Sequence, residues 1–96
     1  MGRYRFSAKA EIDLENILDY TQVNWGRNQT AHYLDGLEEL AQNLANNPEL
    51  GIDRDSVAKE LRSFPYKSHV IFYVKEKDGI TIIRLLHKAM LPEKYL

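Results

Sequence analysis

The segment LRSFPYKSHVIFYVKEKDGITIIRLLHK, residues 61–88, decides the fold of this chain. It contains two apolar runs, Val70–Val74 and Ile80–Leu86, that are rich in the β-branched and aromatic residues favoured on a pleated sheet. Asp78-Gly79 lies between the runs, and Asp-Gly in this position is a strong signal for a tight hairpin turn. The sequence therefore predicts a β-hairpin, with a further strand at Leu61–Phe64 just before it.

The residues at the start of the chain predict one short strand and one long helix. Arg3–Phe6 alternates basic and aromatic residues, which is typical of a strand. From Ala8 to Trp25, apolar residues recur at spacings of three and four and form one face of an amphipathic helix. Ser7 is placed to cap the start of this helix, and Gly26 is placed to end it. The predicted apolar face comprises Ala10, Leu14, Ile17, Leu18, Thr21 and Trp25.

A second helix is predicted directly after the first. Asn28 is expected to cap it, and Pro48 stops it near Asn46, because the residue before a proline avoids the helical region. The mixed charges, proline and glycine of Pro48–Lys59 predict a surface loop, and Pro92–Leu96 predicts a tail with one helical turn. The apolar stripe of the second helix comprises Tyr33, Leu34, Leu37, Leu40, Ala41 and Leu44.

These elements predict a single α+β domain over residues 1–96, in the order β-α-α-β-β-β. The short connection between the helices makes them an antiparallel hairpin, which would pack on one face of a small, largely antiparallel sheet. Ile71, Phe72, Ile82 and Leu85 are expected among the main core residues. The neighbour of the first strand is not specified by the sequence.

Composition restricts the function classes. The 96 residues include no cysteine, which excludes disulfides, thiolate catalysis and cysteine-based zinc sites and favours a cytoplasmic location. No apolar run is long enough to span a bilayer and the N-terminus lacks the apolar region of a signal peptide, so no membrane association is expected. No phosphate-binding glycine loop or HExxH pair is present, so no cofactor or metal is expected. A net charge of −1 gives no global attraction to nucleic acid, and no sequence-specific nucleic-acid binding is expected.

The hairpin carries several cations in or beside its apolar runs. Arg62, Arg84 and Lys88 could hold a phosphate or a carboxylate, and His87 could act as a general acid or base near neutral pH. This chemistry would suit a metal-free ribonuclease, although a second proton carrier is not identified. Glu60, Tyr66, Tyr73 and Tyr95 are candidates by residue type only. The alternative is that Arg84, His87 and Lys88 form the solvated rim of the sheet, a common protection of sheet edges.

The relative position of Arg84 and His87 depends on the regularity of the last strand. Strict alternation places His87 on the face of Thr81 and Ile83, with Arg84 on the opposite face. A bulge near the end of the strand would bring Arg84 and His87 together, and the sequence leaves this open. His32 is expected to be a surface residue on its helix. His69 opens a strand after Lys67-Ser68 and is expected to be a turn residue rather than a catalyst.

Taken together, the order and spacing of these motifs resemble the RelE/ParE toxins of bacterial toxin–antitoxin modules, and most closely their ParE branch. The resemblance covers nearly the whole chain. It is carried by Ser7-Ala8, Ala10, Asp13-Leu14, Ile17 and Tyr20, by Trp25-Gly26, Ala31, Tyr33 and Pro48–Gly51, and by Leu61–Pro65, His69–Tyr73 and Ile83–His87 through Met90.

The resemblance implies a toxin that blocks DNA gyrase by binding and is neutralised by a ParD-type antitoxin, whose C-terminal segment would wrap the toxin in a hetero-oligomer. RelE-like relatives instead cleave mRNA on the ribosome. If this chain were such an endoribonuclease, it would use His87 with Arg62 and Arg84. A third alternative is a degenerate toxin that only binds its antitoxin. The residues expected to contact partners are Arg62, Tyr73, Arg84, His87 and Lys88.

Overall fold

The computed structural model describes residues 2–96 and confirms the α+β class and the predicted order of elements. Its strands are β1 (Arg3–Phe6), β2 (Ile52–Asp53), β3 (Leu61–Tyr66), β4 (His69–Glu76) and β5 (Gly79–His87). Its helices are α1 (Ala8–Trp25), α2 (Arg27–Asn46) and the single turn α3 (Pro92–Tyr95). No helix within residues 2–96 is both long and apolar enough to cross a membrane.

The five strands form one sheet in the order β1-β5-β4-β3-β2. All neighbouring pairs are antiparallel except β1 and β5, which run parallel from Arg3 opposite Gly79 to Phe6 opposite Ile82. Gly79 makes this pairing possible: it has a φ of 156°, and a Cβ atom there would lie 1.7 Å from the Arg3 carbonyl oxygen. The first strand is therefore the neighbour of the last one.

Both faces of the sheet contribute buried side chains. On one face, α1 and α2 cover a core that includes Ile71, Tyr73, Ile82 and Leu85. On the other face, Leu61, Phe72 and Leu86 form a smaller cluster against Val57, Val70, Val74 and Met90. The four predicted core residues, Ile71, Phe72, Ile82 and Leu85, are at most 4% exposed, as expected. Phe72, however, belongs to the smaller cluster and not to the core beneath the helices.

A β-bulge interrupts β5. Arg84 lies opposite Phe72 and Ile82 lies opposite Tyr73, so that Ile83 is an extra residue in β5. The extra residue reverses the alternation beyond it. His87 therefore shares the helix-covered face with Leu85 and Ile82, and the prediction that it shares a face with Thr81 is wrong.

The ends of the two long helices differ from the prediction at two positions. Gly26, with a φ of 91°, ends α1 and also precedes the first residue of α2. Because one glycine serves both helices, α2 already includes Asn28, and no side chain caps its first turn. Trp25 is 71% exposed, although Ala10, Ile17 and Thr21 of the same predicted stripe are buried. Trp25 is the last residue of α1.

The stretch predicted as a loop, Pro48–Lys59, is more regular than expected. It begins with one turn of 3-10 helix at Pro48–Leu50 and continues into β2, whose Ile52 and Asp53 pair with Ser63 and Arg62. Two residues of pairing are too short to leave an alternating pattern in the sequence. Only the remainder, from Arg54 onwards, is a loop.

Candidate functional site

The outer edge of β5 is held by an acidic side chain of α1. Beyond Ile82, β1 no longer pairs with β5, and Asp13 Oδ2 accepts a hydrogen bond from the Leu85 backbone nitrogen at 3.0 Å. Asp13 also binds Arg84 in a fork, with 2.7 Å from Nε to Oδ2 and 3.0 Å from Nη2 to Oδ1. Both side chains are at most 16% exposed. The hydrogen bond from Asp13 raises the pKa of Arg84, so the guanidinium stays charged.

Arg84 also fastens the end of the chain. Its Nη1 donates to the Tyr95 carbonyl oxygen at 2.6 Å, which holds α3 against the bulged part of β5. Lys88 follows the strand, and its backbone nitrogen donates to the Ser68 carbonyl at 2.9 Å while the residue is exposed. Arg84 is thus committed to internal partners, whereas the Lys88 side chain is open to solvent.

Arg62 and Tyr73 both hold the turn that follows α2. Arg62 Nη1 donates to the Gly51 carbonyl at 2.8 Å, and the Tyr73 hydroxyl accepts from the Gly51 nitrogen at 2.8 Å and donates to the Pro48 carbonyl at 2.7 Å. Tyr73 is fully buried, and its burial raises the pKa of its hydroxyl. The side chain of Tyr73, which the sequence places among the partner contacts, lies inside the core.

Replacing Tyr73 by phenylalanine is expected to lower the free energy of unfolding by about 1–3 kcal/mol, since the Gly51 N–H and the Pro48 carbonyl lose a buried partner. Urea denaturation monitored by circular dichroism measures the change. Tyr20→Phe is the matched control, because Tyr20 is 66% exposed. Equal stabilities for the two variants would contradict the assigned role.

His87 and His69 form a pair across β4 and β5. They are register partners, and their ring centroids lie 5.7 Å apart at an angle of 86°. The Tyr33 hydroxyl lies 3.3 Å from His69 Nδ1. Burial lowers the pKa of His69, and the neighbouring His87 lowers it further. His69 opens β4 beside the core, as expected from its place after Lys67-Ser68.

The backbone nitrogen of Ala89 donates to His87 Nδ1 at 3.1 Å. A backbone N–H can only donate, so Nδ1 must be the acceptor, and the neutral ring carries its proton on Nε2. His87 can therefore donate a hydrogen bond from Nε2, but in this arrangement it has no free lone pair with which to take a proton.

The candidate ribonuclease residues are not assembled in one place. Arg62 binds the turn after α2, Arg84 binds Asp13 and α3, and within residues 2–96 no hydrogen bond or ion pair joins either of them to His87. The bulge exists, but it does not bring Arg84 to His87. Of the proposed second proton carriers, Tyr66 donates to the Tyr33 carbonyl at 2.8 Å. Among residues 2–96, no group of three or more histidine or carboxylate side chains is arranged to hold a metal ion.

A groove of about 770 Å³ lies between the helical hairpin and the adjoining ends of β4 and β5. Its lining includes two exposed aromatic residues, Tyr20 at 66% and Trp25 at 71% exposure, together with Lys67, His69 and His87. Of these five residues, the sequence singled out only His87 as a partner-binding candidate. The groove is lined by Asn16, Ile17, Tyr20, Thr21, Trp25, Gln29, Tyr33, Lys67, Ser68, His69 and His87.

The family model described as the ParE toxin of the type II toxin–antitoxin system, parDE, matches residues 4–92 of this chain. The chain belongs to the ParE toxin family. Toxin ParE1 of Caulobacter vibrioides is 33% identical over 90 residues, covering 94% of this chain and 93% of the relative. Toxin ParE1 of Mycobacterium tuberculosis H37Rv is 35% identical over 90 residues, covering 93% and 92%.

A solved structure from the chromosomal ParDE system of P. aeruginosa has the same fold. It superposes with a TM-score of 0.74 over 91% of this chain and 96% of the other, at 20% sequence identity. The predicted resemblance to ParE is confirmed, and the chain is a toxin of a type II toxin–antitoxin module. Its partner in such a module is an antitoxin.

Proposed function

We propose that this ParE-family toxin arrests growth by binding DNA gyrase in the cytoplasm, without transforming a substrate, and that a ParD-type antitoxin neutralises it. The observation that carries the proposal is the state of His87. A metal-free ribonuclease needs a base to take the proton of a ribose 2′-OH, and the hydrogen bond from Ala89 occupies the His87 lone pair. The Asp13 carboxylate also compensates the charge of Arg84, which a phosphorane would require free.

The binding surface we assign to gyrase is the end of the chain, called here the tail surface and defined as Lys88 with residues 91–96. Leu91 is 54% exposed, Tyr95 41% and Leu96 40%, so apolar and aromatic side chains stand beside the exposed cation of Lys88. Protein interfaces concentrate their binding energy in a few anchors of this type. Arg84 contributes indirectly, because it holds the Tyr95 carbonyl.

The test compares two variants. His87→Ala is expected to leave growth inhibition largely intact, whereas Tyr95→Ala should weaken inhibition of supercoiling by purified gyrase about tenfold, the equivalent of about 1.4 kcal/mol for one interface anchor. Both residues are exposed, so both variants should keep the parent melting temperature. Cleavage of mRNA on translating ribosomes is measured beside the supercoiling reaction.

A ribonuclease would behave in the opposite way. Loss of a general acid or base lowers a cleavage rate by about 10²–10⁴-fold. If His87→Ala abolished toxicity and mRNA cleavage together, at an unchanged melting temperature, the gyrase proposal would be overturned. A chain that binds antitoxin but inhibits neither gyrase nor growth would be the degenerate toxin.

A further inference from the structure

The helix α3 is too short to keep its own position. It comprises four residues, Pro92–Tyr95, and no side chain caps its first turn. Helices of this length are unstable in water unless other parts of the protein hold them. The exposed residues Leu91, Tyr95 and Leu96 nevertheless need a fixed arrangement to act as anchors of an interface, because ordering them on binding would cost affinity. The position of the tail surface must therefore come from contacts outside it.

The tail surface is fastened to the sheet on both sides of Leu91. Just before this residue, Met90 packs on the smaller cluster of the sheet. Near the end of the chain, Arg84 Nη1 donates to the Tyr95 carbonyl oxygen at 2.6 Å. Within the described residues 2–96, this is the only hydrogen bond that joins residues 91–96 to another part of the chain. The direction of the Arg84 side chain therefore decides where α3 lies.

Asp13 sets the direction of the Arg84 side chain. Its carboxylate binds the guanidinium side-on, with Nε 2.7 Å from Oδ2 and Nη2 3.0 Å from Oδ1. A guanidinium is planar, so a fork on two of its nitrogens fixes the direction of the third. The third nitrogen is Nη1, which donates to Tyr95. Asp13 is held in turn, because its Oδ2 also accepts from the Leu85 backbone nitrogen at 3.0 Å.

We propose that Asp13 is a positioning residue for the tail surface: through Arg84, it fixes the arrangement in which this surface meets its target. The inference deepens the proposed function and rests on it, since that function assigns the tail surface to gyrase. The Asp13 side chain is only 14% exposed and its carboxylate is occupied by Arg84 and Leu85. Asp13 therefore acts on the target through Arg84 and not by direct contact.

The role depends on the carboxylate and on the fork. In Asp13→Asn, an amide nitrogen replaces one carboxylate oxygen and faces an N–H of Arg84, so the two parallel hydrogen bonds cannot form. The guanidinium is then free to turn, and the Tyr95 carbonyl loses its donor. Arg84→Lys removes the fork in a different way, because an ammonium keeps the positive charge but has no planar pair of donors.

Hydrogen exchange and gyrase inhibition together test the inference on the full chain. The Lys94 and Leu96 amides donate to carbonyls at the start of the tail and report whether α3 is held. In Asp13→Asn, NMR should show these two amides exchanging about tenfold faster than in the parent, since a hydrogen bond from a charged donor is lost. Inhibition of supercoiling and of growth should weaken about tenfold per folded molecule. Arg84→Lys should show the same pair of effects.

Leu44→Ala separates positioning from a general loss of stability. Leu44 is fully buried in α2, so its truncation should destabilise the fold to an extent similar to Asp13→Asn. Release of the tail is a local opening that does not require global unfolding. Leu44→Ala should therefore keep the parent exchange rates at Lys94 and Leu96, and the parent inhibition per folded molecule measured by circular dichroism.

Three results would overturn the inference. Asp13→Asn could leave exchange of the tail amides unchanged, or it could release the tail and keep full inhibition. Equal effects in Leu44→Ala would assign both changes to lost stability. If the parent arrested growth without inhibiting gyrase, the gyrase proposal would fall by itself. The inference would then stand if Asp13→Asn released the tail and weakened growth inhibition, and it would fall if either effect were absent.

Discussion

Replacement of Ile82 by alanine is expected to lower the free energy of unfolding by about 2–5 kcal/mol. Ile82 is fully buried between the sheet and both long helices, and it also pairs with Phe6 of β1. The loss includes the transfer free energy of the removed methyl groups and the cost of the cavity that remains. Since small domains have total stabilities of about 5–10 kcal/mol, this single truncation should shift the urea midpoint by a large fraction.

The same measurement on Ile71→Ala, Phe72→Ala and Leu85→Ala tests whether both faces of the sheet contribute. Phe72→Ala should be comparably destabilising, although Phe72 lies in the smaller cluster. Val23→Ala is the control, because Val23 is 85% exposed on α1. If all four core variants kept the urea midpoint of the parent, the assignment of this sheet as the core would be wrong.

Replacement of Asp13 by asparagine should lower the free energy of unfolding by about 2–4 kcal/mol. The asparagine oxygen can still accept from the Leu85 nitrogen, but it leaves the Arg84 guanidinium without its charged partner in a mostly buried position. Asp78→Asn is the matched control. Its ion pair with Arg5 joins side chains that are 52% and 49% exposed, and such pairs contribute about 0–1 kcal/mol.

A double-mutant cycle between Asp13→Asn and Arg84→Gln isolates the interaction between the two side chains. We expect a coupling energy above about 1 kcal/mol, because the residues form a bidentate pair. Equal losses in Asp13→Asn and Asp78→Asn, together with additive effects in the cycle, would show that Asp13 does not hold the edge of β5.

The hairpin was predictable because its signals are local. Asp78-Gly79 and the two apolar runs specify β4 and β5 within twenty residues of sequence, and Ser7 caps α1 through a hydroxyl that accepts from Ala10 only three residues away. Long-range features left no such signal. The parallel pairing of β1 with β5 joins residues that are 76 positions apart in the sequence. The bulge at Ile83 is defined only by the register in which β5 pairs with β4.

The candidate site was predictable in residue type but not in environment. His87 was identified from its place at the end of an apolar run, whereas Tyr73 and Trp25 were assigned to the wrong surroundings. Tyr73 alternates like its neighbours, and only the turn at Pro48–Gly51 buries its hydroxyl. Trp25 follows the helical spacing of a core residue, but it is the last residue of α1 and is 71% exposed.

The parallel contact between β1 and β5 constrains the order in which the protein can form. Residues 3–6 leave the ribosome before their sheet partners, residues 79–82, so β1 can join the sheet only after β5 has been synthesised. Contacts of such high sequence separation slow folding. The edge of β5 therefore stays unpaired in the growing chain until β1 returns to close the sheet.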